Sequence, residues 1–396
     1  MFENLDLLPS DPILGLLAAY REDPNPGKVD LGIGVYKDEK GDTPIMAAVK
    51  EAQQIHLAQE TTKTYVGPAG NEEFNAAIGE LLFGKDHAVI KDDRLATIQT
   101  PGGCGAVRMA AEFIKRSNPE TTVWVSNPTW ANHIPLLGDS GLRIEEYPYY
   151  DYQDHCIQFE QMVSALKQAG REDVVLLHGC CHNPCGADLN QDQWQVISEM
   201  AANQGFIPLV DIAYQGLGDG TEADAFGTRL LASSVPELIV ASSCSKNFGL
   251  YRERTGSVNL IAQNSKQLQA SKSQMLSITR GVYSMPPSHG ASIVACILND
   301  AELSQRWALE LSQMCSRIND LRSLLVHKLQ DKGINADFSF IEAEKGMFSF
   351  LGISPEQVHR LKNEFSIYMV DSSRINVAGI SHSNIDYLVD SLHQVF

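Results

Sequence analysis

Between about Val123 and Ser243 the chain alternates short apolar runs with longer segments of helical period. The runs are VWV from Val123, VVLLH from Val174, FIPLVDIAY from Phe206 and LIVASS from Leu238. In one segment between them Trp194, Ile197 and Ala201 fall at i, i+3 and i+7, and Gly205 stands where a helix would stop. Apolar strands separated by helices predict an α/β fold whose mostly parallel sheet is covered on both faces. Beyond about residue 300 the pattern changes to long amphipathic helices. There Ser354 is placed to cap, and Pro355 to open, a helix bearing Val358, Leu361 and Phe365. This tail is expected to form a second, smaller lobe. Ligands of open α/β sheets gather at the carboxyl ends of strands. The polar residues at such ends are Asn183, Asp211, Tyr214, Ser243 and Lys246.

Composition narrows the function classes. With 396 residues, 43% hydrophobic and 20% charged, the chain is a globular protein of enzyme size. Its 31 basic against 49 acidic side chains leave a net charge of -18 without a basic run, which argues against a nucleic-acid partner. The N-terminus lacks a basic segment followed by an apolar stretch, and no run of about 18 apolar residues occurs, so no membrane association and a cytoplasmic location are expected. Eight scattered cysteines are expected to be reduced thiols. Cys180, Cys181, His182 and Cys185 superficially offer zinc ligands. Adjacent ligands interrupted by Asn183 and Pro184 suit no common structural-zinc spacing, and a strand-end turn without metal is the better reading.

The candidate chemistry begins with Lys246, which follows a buried-looking strand and a Ser/Cys-rich turn. Most lysines are solvated, but desolvation would lower this one's pKa and free its amine as a nucleophile toward carbonyls. Ser243, Ser245 and Arg254 surround it with groups suited to a phosphate. Gly102, Gly103 and Gly105 open an evident helix, another anion site, in a pattern that is neither Walker A nor G-x-G-x-x-G. Asp211 closes an apolar strand and needs a positive partner, a role that a protonated pyridine nitrogen fills in sites using pyridoxal phosphate. Alone, each of these residues would default to a structural role.

Together the stretches HGCCHNPCG (178–186), DIAYQG (211–216) and SSCSKNFGLYRERTG (242–256) resemble the aspartate aminotransferases among class I, fold-type I pyridoxal-phosphate enzymes. LGIGVYKDE (31–39), TKTYVGPAG (62–70), SNPTWANH (126–133), SHGASIVA (288–295) and SSRINVAG (372–379) extend the resemblance over the whole chain. It implies a large domain (47–313) with a mostly parallel seven-stranded sheet, a smaller α+β domain (12–46 and 314–396) and an N-terminal arm (1–11). It also implies pyridoxal 5'-phosphate as cofactor. Lys246 would join the cofactor aldehyde and move the proton between the substrate α-carbon and C4'. Asp211 would hold the pyridine nitrogen protonated, with His133 behind it. Tyr214 and Asn183 would hydrogen-bond the phenolic oxygen, and Trp130 would stack on the ring. Gly103, Cys104, Ser243 and Arg254 would hold the phosphate, with Tyr65 reaching in from the second subunit of a homodimer. For the substrate, Arg374, Asn183, Trp130 and Gly34 would hold the α-carboxylate end, and Arg280 of the other subunit the side-chain carboxylate.

The chain departs from the family at four places. Cys104 stands where a hydroxyl is usual and Cys185 where a Thr is. Met285 replaces a polar residue, and Thr64 a residue that is often Asn. Lys37 and Thr43 resemble the aspartate-selective branch. The resemblance therefore implies ping-pong transfer of the amino group of L-aspartate to 2-oxoglutarate. An aromatic amino acid aminotransferase on the same scaffold is the nearest alternative, ahead of a β-lyase, a decarboxylase or a non-enzymatic cofactor-binding regulator.

Overall fold

The computed structural model describes residues 2–7 and 12–396; Met1 and residues 8–11, part of the expected arm, lie outside the described residues. The described chain divides into two compact units. One comprises Pro44–Arg317 with Glu344–Gly346, the other Met1–Thr43, Ile318–Ala343 and Met347–Phe396.

The larger unit is built on seven strands: β1 (Leu95–Pro101), β2 (Thr122–Asn127), β3 (Arg143–Pro148), β4 (Val174–His178), β5 (Ile207–Ile212), β6 (Leu238–Ser243) and β7 (Thr255–Ile261). Their spatial order is β1-β7-β6-β5-β4-β2-β3. β7 runs antiparallel to both neighbours and the remaining pairs are parallel. The four apolar runs seen in the sequence are β2, β4, β5 and β6, and their residues are buried because helices cover the sheet. The helix Gly102–Ser117 lays Ala106, Val107, Ala110 and Ile114 into a core that includes Val123, Val125, Val174, Leu176, Leu209 and Ala241. Each such Val, Leu or Ile side chain contributes about 1.5–3 kcal/mol relative to exposure. β3 reads RIEEYP and buries only Tyr147, as suits an edge strand. The segment with the Trp194 period forms the helix Gln191–Gln204. Asn190 caps it in a reciprocal pair with Gln193, and Gly205 ends it at φ 83°.

This topology places every parallel strand's carboxyl end, and the first residue of β7, along one edge. Pairing of Thr255 with Pro101, Gly256 with Ser243, and His178 with Asp211 fixes which ends are neighbours.

The smaller unit holds two two-stranded ladders, Val29–Asp30 beside Ile367–Tyr368 and Phe348–Phe350 beside Arg374–Asn376. The buried Arg322 donates to the carbonyls of Ile341 (2.7 Å) and Phe348 (2.6 Å), so its charge is met by fixed dipoles. The helix Pro355–Phe365 starts as the sequence predicts, with Ser354 accepting from the Gln357 backbone N–H and Pro355 in the first turn. Among the described residues no helix is long and apolar enough to cross a membrane.

Candidate active site

Lys246 follows β6 and is half-buried in the larger unit. Burial drives its pKa down from 10.5 to about 8; the Asp211 charge opposes that shift and the Arg254 charge adds to it. Its Nζ lies 4.6 Å from the centre of the Tyr214 ring. Asp211, at the end of β5, is buried as well. Burial alone would raise its carboxyl, but the hydrogen bond from His133 and the charges around it hold the pKa below the ordinary range.

His133 Nε2 lies 2.9 Å from Asp211 Oδ2, and the imidazole is fully buried. Its Nδ1 is 2.8 Å from Thr129 Oγ1, which is 3.0 Å from His178 Nε2. His133 Nε2 donates to the carboxylate, and Thr129 Oγ1 bridges His133 Nδ1 and His178 Nε2. His178 stays uncharged because burial lowers its pKa to about 3. Beyond it His182 stacks 3.9 Å from His178 and 4.2 Å from Tyr149, and bonds Ser126 Oγ (3.1 Å) and Cys185 Sγ (3.1 Å). Trp130 meets His133 edge-on at 5.2 Å.

On the other side of Lys246, β1 runs into the helix that starts at Gly102. Gly102 has φ 72°, and a Cβ there would stand 2.6 Å from Arg254 Nη2. The Arg254 guanidinium thus lies against free backbone N–H groups of a helix start, a pairing that suits a phosphate. A Cβ on Gly103 would come within 3.0 Å of Ser243 Cβ. The buried Ser243 accepts from the Ser245 backbone N–H (3.2 Å) and donates to Ser245 Oγ (3.1 Å). Cys104 follows, with Asn132 Nδ2 at 3.5 Å from its sulfur. Asn183 is buried, and its Oδ1 has no hydrogen-bond partner within the described residues.

Two predicted residues are not part of this cluster. Tyr65 is 89% exposed, and with Arg280, Tyr283 and Met285 it lines a separate open pocket where Arg280 contacts Ser284 Oγ. Within the smaller unit, Arg374 donates to the Gly32 carbonyl (2.7 Å) and lies 4.4 Å from the Phe348 ring centre. A Cβ on Gly34 would stand 2.7 Å from the same ring, so Gly34 and Arg374 share Phe348 as a neighbour.

Sequence reasoning did not single out Thr129 or His178. His178 is found only through the register that sets it beside Asp211, and Thr129 by its i, i+4 spacing from His133. The Cys/His set considered for zinc does not come together: His182 pairs with Cys185, while Cys180 and Cys181 face Asp224.

A half-buried amine in the field of an ionised carboxylate, next to an anion cradle, suits an α/β enzyme that works on an amine with a phosphorylated aromatic cofactor. The chain belongs to the family aminotransferase class I and II, whose pattern it matches over residues 26–392. It is 50% identical to an aspartate aminotransferase of Salmonella typhi over 99% of both chains. It is 46% identical to an aromatic-amino-acid aminotransferase of Pseudomonas aeruginosa over 100% of this chain and 98% of that one. A crystal structure of the aromatic-amino-acid aminotransferase from Burkholderia pseudomallei, covalently bound to pyridoxal phosphate, superposes with a TM-score of 0.98 at 40% identity, covering 100% of this chain and 99% of that one.

Proposed function

We propose that this protein is an aspartate aminotransferase, transferring the amino group of L-aspartate to 2-oxoglutarate and releasing oxaloacetate and L-glutamate in a ping-pong cycle. The observation that carries the reading is the half-buried Lys246 amine, its pKa lowered to about 8, in the field of the buried, ionised Asp211 at the neighbouring strand end. The full-length likeness to aspartate aminotransferases supports it.

The donors fit pyridoxal 5'-phosphate. Only glycine at position 102 leaves room for the Arg254 fork at the helix start, and the orphaned polar end of Asn183 marks a site built to meet a polar ligand. The residues proposed to hold the phosphate are Gly103, Cys104, Ser243 and Arg254, with Tyr65 from a second subunit. Tyr214 and Asn183 hold the phenolic oxygen, and Trp130 covers the ring. Bound there, the cofactor supplies an electron sink for the substrate α-carbon and a carbon that carries the amino group. Asp211, kept ionised by His133, retains a proton on the pyridine nitrogen. Thr129 and His178 hold the His133 ring in the orientation that reaches Asp211. With the cofactor bound, Lys246 would be the group to take up and return the substrate α-proton, a task suited to an amine with a pKa of about 8.

Arg374, fixed by the Gly32 carbonyl and the Phe348 ring, is the proposed anchor of the α-carboxylate, aided by Gly34. Arg280 is proposed to serve the side-chain carboxylate in the partner subunit of a homodimer, which explains why it stands exposed with Tyr65 in a pocket apart from Lys246. We read the larger unit as the cofactor domain, the smaller as the second domain, and the protein as cytoplasmic.

One observation favours a second activity, on aromatic amino acids: Met285 and Tyr283 give the Arg280 pocket apolar walls. Initial rates with aspartate, phenylalanine and tyrosine against 2-oxoglutarate test both readings. Aspartate is expected to give the highest kcat/KM; a preference for phenylalanine or tyrosine would replace the first reading with the second.

A further inference from the structure

The turn after β4 brings two thiols to a carboxylate behind the strand ends. The sulfurs of Cys180 and Cys181 and an oxygen of Asp224 lie within 4.8 Å of one another, and all three residues are buried. We propose that Cys180, Cys181 and Asp224 bind one soft divalent cation of the zinc or cadmium class. Two sulfurs and one carboxylate oxygen are the donor types such ions take.

The carboxylate is already positioned. Asp224 Oδ2 accepts from the backbone N–H of Gly216 (2.7 Å) and Gly218 (3.0 Å), and Oδ1 from that of Asp219 (2.8 Å). Two glycines keep the space around the donors clear. A Cβ at Gly218 would stand 2.7 Å from Asp224 Oδ1 and 3.1 Å from Cys181 Sγ, and one at Gly346 would stand 2.7 Å from the same sulfur. The charged groups acting on Cys180 are the carboxylates of Asp224, Asp188 and Asp211, a field that draws a cation in. Binding exchanges protons only: the cation forms two metal–sulfur bonds, the two thiol protons pass to solvent, and nothing is oxidised or reduced.

The test uses chelator-treated holoenzyme carrying Cys156→Ser, which removes an exposed thiol remote from the active site. It is titrated with cadmium chloride alone. Equilibrium dialysis is expected to find one cadmium per chain, with an ultraviolet sulfur-to-cadmium charge-transfer band that zinc suppresses. Cys180→Ala and Cys181→Ala should each weaken binding by at least about tenfold and diminish the band, while cofactor absorbance shows that the fold is kept. Absence of the band in the parent protein overturns the site. So does a band of undiminished strength and affinity in the Cys180→Ala/Cys181→Ala double variant.

Discussion

The two polar regions of the larger unit that the function needs are built in opposite ways. Around Lys246, Asp211 and His133 are buried, Lys246, Thr129 and His178 half-buried, and each is held by another: Asp211 by His133, His133 by Thr129, Thr129 by His178. Around Arg280 the side chains stand exposed on the rim, with Tyr65 89% exposed. Buried charge is costly unless it is met by fixed partners, so the chain of groups that holds Asp211 must be complete within one fold. An exposed arginine costs little to hold in reserve, and the rim fits a group that is completed only when a second chain arrives. Removing Lys246 is thus expected to cost most, while loss of a rim group such as Arg280 weakens one class of substrate.

The sharpest break of that contrast is Lys246→Ala, which removes the proton-moving amine. Turnover should fall by at least about 10⁴-fold, the upper range for a positioned acid-base group, while the yellow cofactor still binds. Near-normal turnover in this variant would show that the buried region is not the reacting one.

At the rim, Arg280→Ala should cost aspartate about 2–5 kcal/mol in kcat/KM and phenylalanine much less. Equal losses for the two substrates would remove Arg280 from recognition. The same variant sharpens the question of which chain it serves. Co-refolding it with Lys246→Ala makes half the dimers mixed, and each mixed dimer has one site free of both defects, so about a quarter of wild-type activity should return. With dimers confirmed by sedimentation, no recovery would place Arg280 in its own chain's site.

A smaller loss is expected of His133→Asn, which loosens the carboxylate without touching Lys246. Loss of one hydrogen bond to a charged group should cost about 1.5–3 kcal/mol in kcat/KM, with the absorbance of the bound cofactor shifting as the pyridine proton is held less firmly. An unchanged spectrum with a reduced rate would mean that His133 acts only in folding.

How far the sequence foretells these regions follows from the same contrast. Strands β4, β5 and β6 are legible because burial on both faces makes them continuous apolar runs, and Lys246 and Asp211 stand out as polar residues at their ends. β3 is not legible, since at the sheet edge Glu145 and Glu146 face solvent. The antiparallel direction of β7 is set by its pairing with β1, a contact between residues more than a hundred positions apart. His178 escaped notice for a similar reason: only the lateral register places it at Asp211. In the Cys/His turn, spacing suggested His182 and Cys185 as companions of Cys180, whereas the chain folds Asp224 in from a later loop. Tyr65 and Arg280 came from family resemblance alone, because nothing in an exposed side chain's local pattern declares a partner.

A smaller effect follows from the pKa of Lys246. Burial lowers it, so the amine is protonated below about pH 8 and free above. Cofactor capture by the apoenzyme needs the free amine. Its rate should therefore rise about tenfold for each pH unit up to about 8 and level off above, as read by the return of absorbance after mixing with pyridoxal phosphate. A rise that continued toward the ordinary lysine range would mean that the pocket does not desolvate Lys246.

The smallest expected change lies where the buried region meets the helix start. Cys104 occupies the third position of the helix that begins at Gly102, beside Gly103 and within reach of Asn132 Nδ2, and a thiol is a weaker donor than a hydroxyl. Cys104→Ser keeps the shape and restores the stronger donor to the phosphate cradle. Cofactor binding should tighten by about 0.5–1.5 kcal/mol, measured as slower loss of pyridoxal phosphate in dialysis. The backbone donors and Arg254 remain in place, which limits the gain. Weaker retention would show that the sulfur packs in a way a smaller oxygen cannot replace, and that the cradle is as intolerant of change as Asp211 and its histidines.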